Sequence, residues 1–268
     1  MRDLPWRRTR DPWAVLVSEV MLQQTQVPRV VPIWQEFMTC FPTVRACADA
    51  SQADVVRAWA GLGYNRRAVN LHRAAVLMGD AVPRDLDALL ALPGVGAYTA
   101  RAVLVFAFED DVGVVDTNIA RVLSRRAGRR LSPGELQREA DALVPAGRAW
   151  GWNQRLMDLG ALVCTARDPA CDRCWLHEGC AWDGELWPTR RQSTFAGSDR
   201  QGRGRLVAAL RVGDVPVAEL GLVMGWPDDR PRAERVAAQL VEEGIVEVVR
   251  RTTDDTAGQA VIRLTISS

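Results

Sequence analysis

Four cysteines crowd into one short stretch, "ALVCTARDPACDRCWLHEGC": Cys164, Cys171, Cys174 and Cys180. Paired knuckles separated by a longer loop are the usual frame for structural zinc. Here only Cys171 and Cys174 make a CxxC pair, with the other two close on either side. A tight four-thiolate loop suits the irons of an iron–sulfur cluster. Cys40 and Cys47 stand alone in helical context and read as small core residues. Two carboxylates also stand out. Glu19 lies inside the apolar run "WAVLVSEVML". A buried carboxylate is costly unless paired or protonated, and desolvation raises its pKa toward the range of a general acid. Asp116 in "VVDTNIARVLSR" stands at a helix N-cap position, which is its plain reading. A fixed carboxylate can also stabilise a positive charge that develops beside it.

A third feature is the turn "LPGVGAYTARAV". Pro93, Gly94 and Gly96 force a tight reversal just before a helix N-terminus. Such a turn lets the backbone amides of Gly94, Val95 and Gly96 approach an anion such as a phosphate. An ordinary helical hairpin would have the same residues.

The elements that must hold these groups are mainly helical. From Trp13 to Ala149 apolar residues recur at three- and four-residue spacing, and "WNQRLMDLGALVC" adds a helix leading into the cysteines. Residues 188–202 read as a polar, basic linker. Beyond it come three helices, the last stopped by Gly244, and then two alternating segments joined by "TTDDTAG". That is winged-helix order.

The bulk composition fits a globular enzyme or binding protein. The chain has 268 residues and net charge +1; its 34 basic residues are all arginine. Without lysine no side chain can form a Schiff base. Arginine grips phosphate with a planar fork. Clusters at 7–10, 66–73, 121–130 and 190–205 favour a polyanionic partner, although any single cluster reads as solvated surface. The N-terminus has no signal-peptide pattern and no apolar run spans a bilayer, so a cytoplasmic protein with reduced cysteines is expected.

The Cys-x6-Cys-x2-Cys-x5-Cys spacing resembles the cluster loop of the helix–hairpin–helix DNA glycosylases, the endonuclease III and MutY group. "SEVMLQQTQV", "LPGVG", "VVDTNIARVLSR", "GLGYNRRA", "LPWR" and "NQRLMDLGALVC" resemble that group in the same order, over about residues 4–183. The resemblance implies a mainly α, two-lobed glycosylase core. A six-helix barrel domain with the hairpin would span 8–112. A cluster domain would span 113–187 with residues 1–7, and a small α+β winged-helix-like domain 203–268. It implies a 4Fe-4S cluster on Cys164, Cys171, Cys174 and Cys180 that shapes a loop presenting Arg167 and Arg173 to DNA.

It further implies Glu19 as the acid that protonates a flipped adenine, Asp116 as the cation stabiliser and Asn118 beside it. Gln24 and Tyr64 would insert at the mispair, with Asn65 where the family often has a second tyrosine. Tyr98 stands where members that also cut the backbone carry a lysine nucleophile. The expected function is a monofunctional glycosylase, removing adenine opposite 8-oxoguanine or guanine in double-stranded DNA. The expected setting is the bacterial cytoplasm and nucleoid, as a monomer with no membrane. Two alternatives stay open: a mismatch glycosylase acting on uracil or thymine opposite guanine, and a lesion-binding protein that does not cleave. Two departures bear on substrate choice. The chain starts almost at "LPWR", where relatives have a further helix. Its tail is shorter than the Nudix-like domain of typical MutY proteins. The basic start of "RPRAERVAAQLVEEG" suggests a recognition helix, whereas Glu242 and Glu243 at its end suggest packing.

Overall fold

The computed structural model describes residues 1–184, 194–253 and 256–266, so residues 188–193 of the expected linker lie outside the described residues. In chain order the helices are α1 (Pro12–Leu22), α2 (Val27–Cys40), α3 (Val44–Ala48), α4 (Gln52–Ala58), α5 (Arg66–Met78), α6 (Leu86–Leu90) and α7 (Ala97–Phe108). They continue as α8 (Thr117–Arg126), α9 (Pro133–Ala142), α10 (Ala149–Leu162), α11 (Asp199–Leu210), α12 (Leu220–Met224) and α13 (Arg230–Glu242). Local chemistry sets most of the starts. Asp11, Thr43, Ser51, Asp85, Asp116, Ser132, Ser198 and Asp229 each accept a backbone N–H at a helix N-terminus. Ser132 and Glu135 complete a reciprocal capping box. No described helix is long and apolar enough to cross a membrane.

Two compact units emerge, each built from two separate stretches: Met1–Gln23 with Val82–Thr189, and Gln24–Ala81 with Arg190–Ser268. The chain-order segments expected from sequence cut across this division.

The first unit is built on α1 and α7. Both are buried almost all round, from Trp13 to Met21 and from Thr99 to Ala107, as expected of helices that are apolar on every face. They pack against each other, α6 packs on α7, and α8 packs on α9 and α10.

In the second unit α3 and α4 pack on α5. Phe37 meets the fully buried Trp59 edge to face at 5.9 Å. The C-terminal stretch adds α11, α12 and α13 and a three-stranded antiparallel sheet of β1 (Val215–Pro216), β2 (Val246–Thr253) and β3 (Thr256–Leu264), in the order β1-β3-β2. Gly244, at φ +71°, ends α13 as expected.

Three local expectations need correction. The last four residues of the expected linker are helical, because the Ser198 hydroxyl caps α11 so that it starts at Asp199. The short strand β1 was not legible, since two residues carry no alternation and gain their partner only from β3. Cys47 is buried as expected, but Cys40 at the end of α2 is exposed, because the helix ends there and turns that residue outward.

The winged-helix-like segment closes on one tight contact. The Arg232 guanidinium lies 4.1 Å from the centre of the Trp226 ring, and the indole packs over Gly202 of α11. A Cβ on Gly202 would lie 2.1 Å from the ring edge. Gly202→Ala is therefore expected to cost about 1–3 kcal/mol by overpacking, read as a lowered denaturant midpoint.

Candidate active site

Glu19 sits in the middle of α1, 5% exposed, inside the first unit. Its apolar surroundings leave one carboxyl oxygen, Oε2, with no hydrogen-bond partner among the described residues. Burial is the largest influence on the group and drives its pKa up to about 7. The Tyr98 hydroxyl opposes this by donating to the carboxyl, the Asp116 charge adds to the rise, and Arg7 lowers it. Tyr98 is on the first turn of α7, and its own pKa is pushed well above the ordinary phenol value, first by burial and then by the charges of Glu19 and Asp116. It therefore stays a proton donor to Glu19.

Asp116 takes the helix-start position that its plain reading gave it. It caps α8, its Oδ1 accepting the Ile119 amide at 2.7 Å. Its Oδ2 accepts from Asn118 Nδ2 at 3.0 Å. Asn118 Oδ1 in turn accepts from Arg121 Nη2 at 3.0 Å. The carboxylate is thus oriented by two donors, and its charge acts on Glu19 and Tyr98.

The hairpin turn stands beside this group. Gly94 takes φ +78°, which a side chain would resist, and Gly96 opens α7 with no side-chain cap. Val95 is buried, so only its backbone can face a ligand. Gln23, at the end of α1, donates to Gly94 O at 3.3 Å and to Thr99 Oγ1 at 3.2 Å, tying the turn to the helix that carries Glu19.

All four clustered cysteines line one cavity, with Val122, Leu176 and Trp182 among its walls. Among the described residues no three His, Cys, Asp or Glu side chains gather as ligands of a single metal ion. A four-iron cluster places each thiolate on a different iron, and a shared apolar cavity ringed by four thiols suits that group. Arg125, 3% exposed, donates to Cys164 Sγ at 3.3 Å and to the carbonyls of Thr165 and Ala166, under the Trp182 ring. It supplies charge that thiolates favour. Arg167 and Arg173 are exposed on this loop. Trp175 is half exposed and meets Trp152 edge to face.

Gln24 and Tyr64 lie in the second unit. Both are exposed and both take positive φ, +58° and +47°, which is strained for residues with a side chain. The buried Arg67 ties their turns together, donating to Thr25 Oγ1 at 3.0 Å and Gly63 O at 3.2 Å, with the Tyr64 and Trp59 rings nearby.

Sequence reasoning missed several arginines and one carboxylate. Arg121 also donates to Cys164 O at 2.9 Å, so it links the Asn118–Asp116 pair to the start of the cysteine loop. Its i,i+4 spacing from Arg125 on α8 was the available signal. Arg7 and Asp158 had none: they are 151 residues apart yet form a buried, two-pronged pair at 3.0 Å, with Arg2 adding two donors. Burial pushes Asp158 up, but the bonds from Arg7 and Arg2 outweigh it and hold the carboxyl down to about 2. A depressed folded-state pKa contributes stability above the unfolded carboxylate range, lost as pH falls toward 2. Asp158→Asn is expected to cost about 3–5 kcal/mol by leaving Arg7 buried without its counter-charge, measured by urea unfolding at neutral pH.

Residues 17–146 match the family model of the HhH-GPD superfamily base excision DNA repair proteins. An adenine DNA glycosylase of Mycolicibacterium smegmatis is 46% identical over 259 residues, 92% of this chain and 88% of the relative. One of Mycobacterium tuberculosis is 44% identical, over 94% of this chain and 87% of the relative. Among solved structures, a thermostable thymine-DNA glycosylase superposes with TM-score 0.64 at 34% identity, covering 68% of this chain and 88% of that one. With such identity across most of both chains, this chain belongs to the HhH-GPD superfamily of base excision DNA repair glycosylases, in its MutY-like adenine glycosylase group.

Proposed function

We propose that the protein is a monofunctional glycosylase that binds double-stranded DNA, flips out adenine mispaired with 8-oxoguanine or guanine, and hydrolyses its N-glycosidic bond. The observation that carries this reading is Glu19: a buried carboxyl, pushed up to about 7, beside a second carboxylate that stays oriented by Asn118 and the Ile119 amide. Adenine leaves poorly as an anion. Glu19 gives its proton to a ring nitrogen of the base, and the C1′–N9 bond breaks with both electrons going to the neutral leaving adenine. Asp116 faces the cationic sugar that remains. Glu19, now a carboxylate, takes a proton from water as the water oxygen bonds to C1′, which restores the acid. Tyr98 and Asn118 hold the two carboxyls. No step calls for an amine nucleophile, and the chain has no lysine to cut the backbone by a Schiff base.

In this reading the backbone of Gly94, Val95 and Gly96 takes a DNA phosphate. Gln24 and Tyr64 fill the gap left by the flipped base. Cys164, Cys171, Cys174 and Cys180 hold a 4Fe-4S cluster, and Arg167 and Arg173 on its loop meet the duplex. The protein would act as a monomer on bacterial nucleoid DNA. The domains would be a helix–hairpin–helix domain at 8–112, a cluster domain at 113–187 and a winged-helix-like domain at 203–268. The likeness to a thymine-DNA glycosylase supports a second reading, release of uracil or thymine opposite guanine.

Single-turnover base release on A·8-oxoguanine, A·G, U·G and T·G duplexes separates the two; release confined to pyrimidines would overturn the adenine reading. Glu19→Gln is expected to slow adenine release about 10²–10⁴-fold. Asp116→Asn is expected to slow it about 10²–10³-fold, and in both variants duplex affinity should hold. The rate should also fall with pH above about 7, where Glu19 loses its proton, and Glu19→Gln should remove that limb.

A further inference from the structure

The exposed Tyr64 turn is held from outside by the C-terminal stretch of the chain. Asn65, the next residue, stands at the N-cap of α5 in helical conformation and its side chain caps nothing. Its Oδ1 instead accepts from Arg211 Nη2 at 3.0 Å. Arg211 follows directly after α11, is half-buried, and its Nε also donates to Val56 O on α4 at 3.2 Å. One planar guanidinium thus joins the winged-helix-like segment to both sides of the turn that carries Tyr64. A second tie joins the same bodies elsewhere: Gln52 Nε2 donates to Gly244 O at 2.6 Å.

The helix expected to read DNA has its arginines paired with carboxylates. In α13, Arg230 pairs with Glu234, and Arg232 and Arg235 pair with Asp199. Those arginines are committed within the segment.

We propose that Arg211 is a positioning residue for base extrusion: through Asn65 it fixes the strained Tyr64 turn, and this is how the C-terminal segment supports base release. The proposal rests on the reading of Tyr64 as the residue inserted at the mispair. A non-glycine residue at φ +47° needs its neighbours to hold it. Arg67 does so from within, while Arg211 fixes the residue that follows. The fork needs both Nε and Nη2, so lysine can replace only one of the two bonds.

The test uses the full chain and the duplex that the parent protein cleaves fastest, with enzyme in excess. Arg211→Met is expected to slow base release about tenfold, the size of one charge-assisted hydrogen bond. Asn65→Ala should cause the same fall, and the double variant should fall no further. Arg211→Lys should recover part of the rate. Gln52→Ala breaks the other tie and should leave the rate unchanged. A parent-like rate in Arg211→Met, an equal loss in Gln52→Ala, or additive losses in the double variant would each overturn the proposal. If Arg211→Met does not fold, Asn65→Ala decides by the same criteria. Tyr64→Ala run alongside separates the two readings. If it cleaves at the parent rate, the assignment of Tyr64 falls. If it is slow while Arg211→Met is not, only the role of Arg211 falls.

Discussion

A carboxyl group placed in the middle of an apolar helix governs this structure. Glu19 has buried neighbours along α1 and a carboxyl oxygen that no described group satisfies. Leaving such a group unpartnered costs on the order of 1–3 kcal/mol. Folding tolerates it because α1 and α7 bury nearly everything around it. The result is a carboxyl pushed up to about 7, so that it can both hold and release a proton near neutral pH. Every other feature of the site conditions that proton. Tyr98 donates to the carboxyl, Asp116 disfavours its ionisation, and Arg7 partly offsets both burial and the neighbouring charge.

In both units the hydrogen-bonded arginines work as braces more than as free cations. Arg7 is held by Asp158, Arg121 joins Asn118 to the cysteine loop, Arg125 meets Cys164, Arg67 joins the Thr25 and Gly63 turns, and Arg211 meets Asn65. A guanidinium can satisfy several carbonyls at once while remaining charged, which an ammonium does less well. In a chain without lysine this one residue type carries both the structural crosslinks and the exposed charge on the cysteine loop. The chain's two tyrosines divide similarly: Tyr98 holds a proton inside the first unit, and Tyr64 is exposed in the second.

Much of the local structure was legible before any coordinates. Capping residues and Gly244 mark helix ends because their effects act within one turn. The winged-helix order also follows from local pattern, although β1 escaped because a two-residue strand has no period of its own. The expected linker runs four residues into α11, since its composition is polar while the Ser198 cap already starts a helix.

The sequence by itself determined which residues carry chemistry. Four closely spaced cysteines, a glutamate among apolar neighbours and an aspartate at a helix start are one-dimensional patterns, readable from residue type and spacing. Tertiary structure alone decided what those residues meet. The Arg7–Asp158 pair spans 151 positions and the Arg211–Asn65 bond 146, distances over which no periodicity or propensity acts. It also decided that Glu19 lies close enough to Tyr98 and Asp116 for their charges and protons to interact. Burial and through-space electrostatics depend on which helices pack together, and packing is settled only once the whole chain has folded.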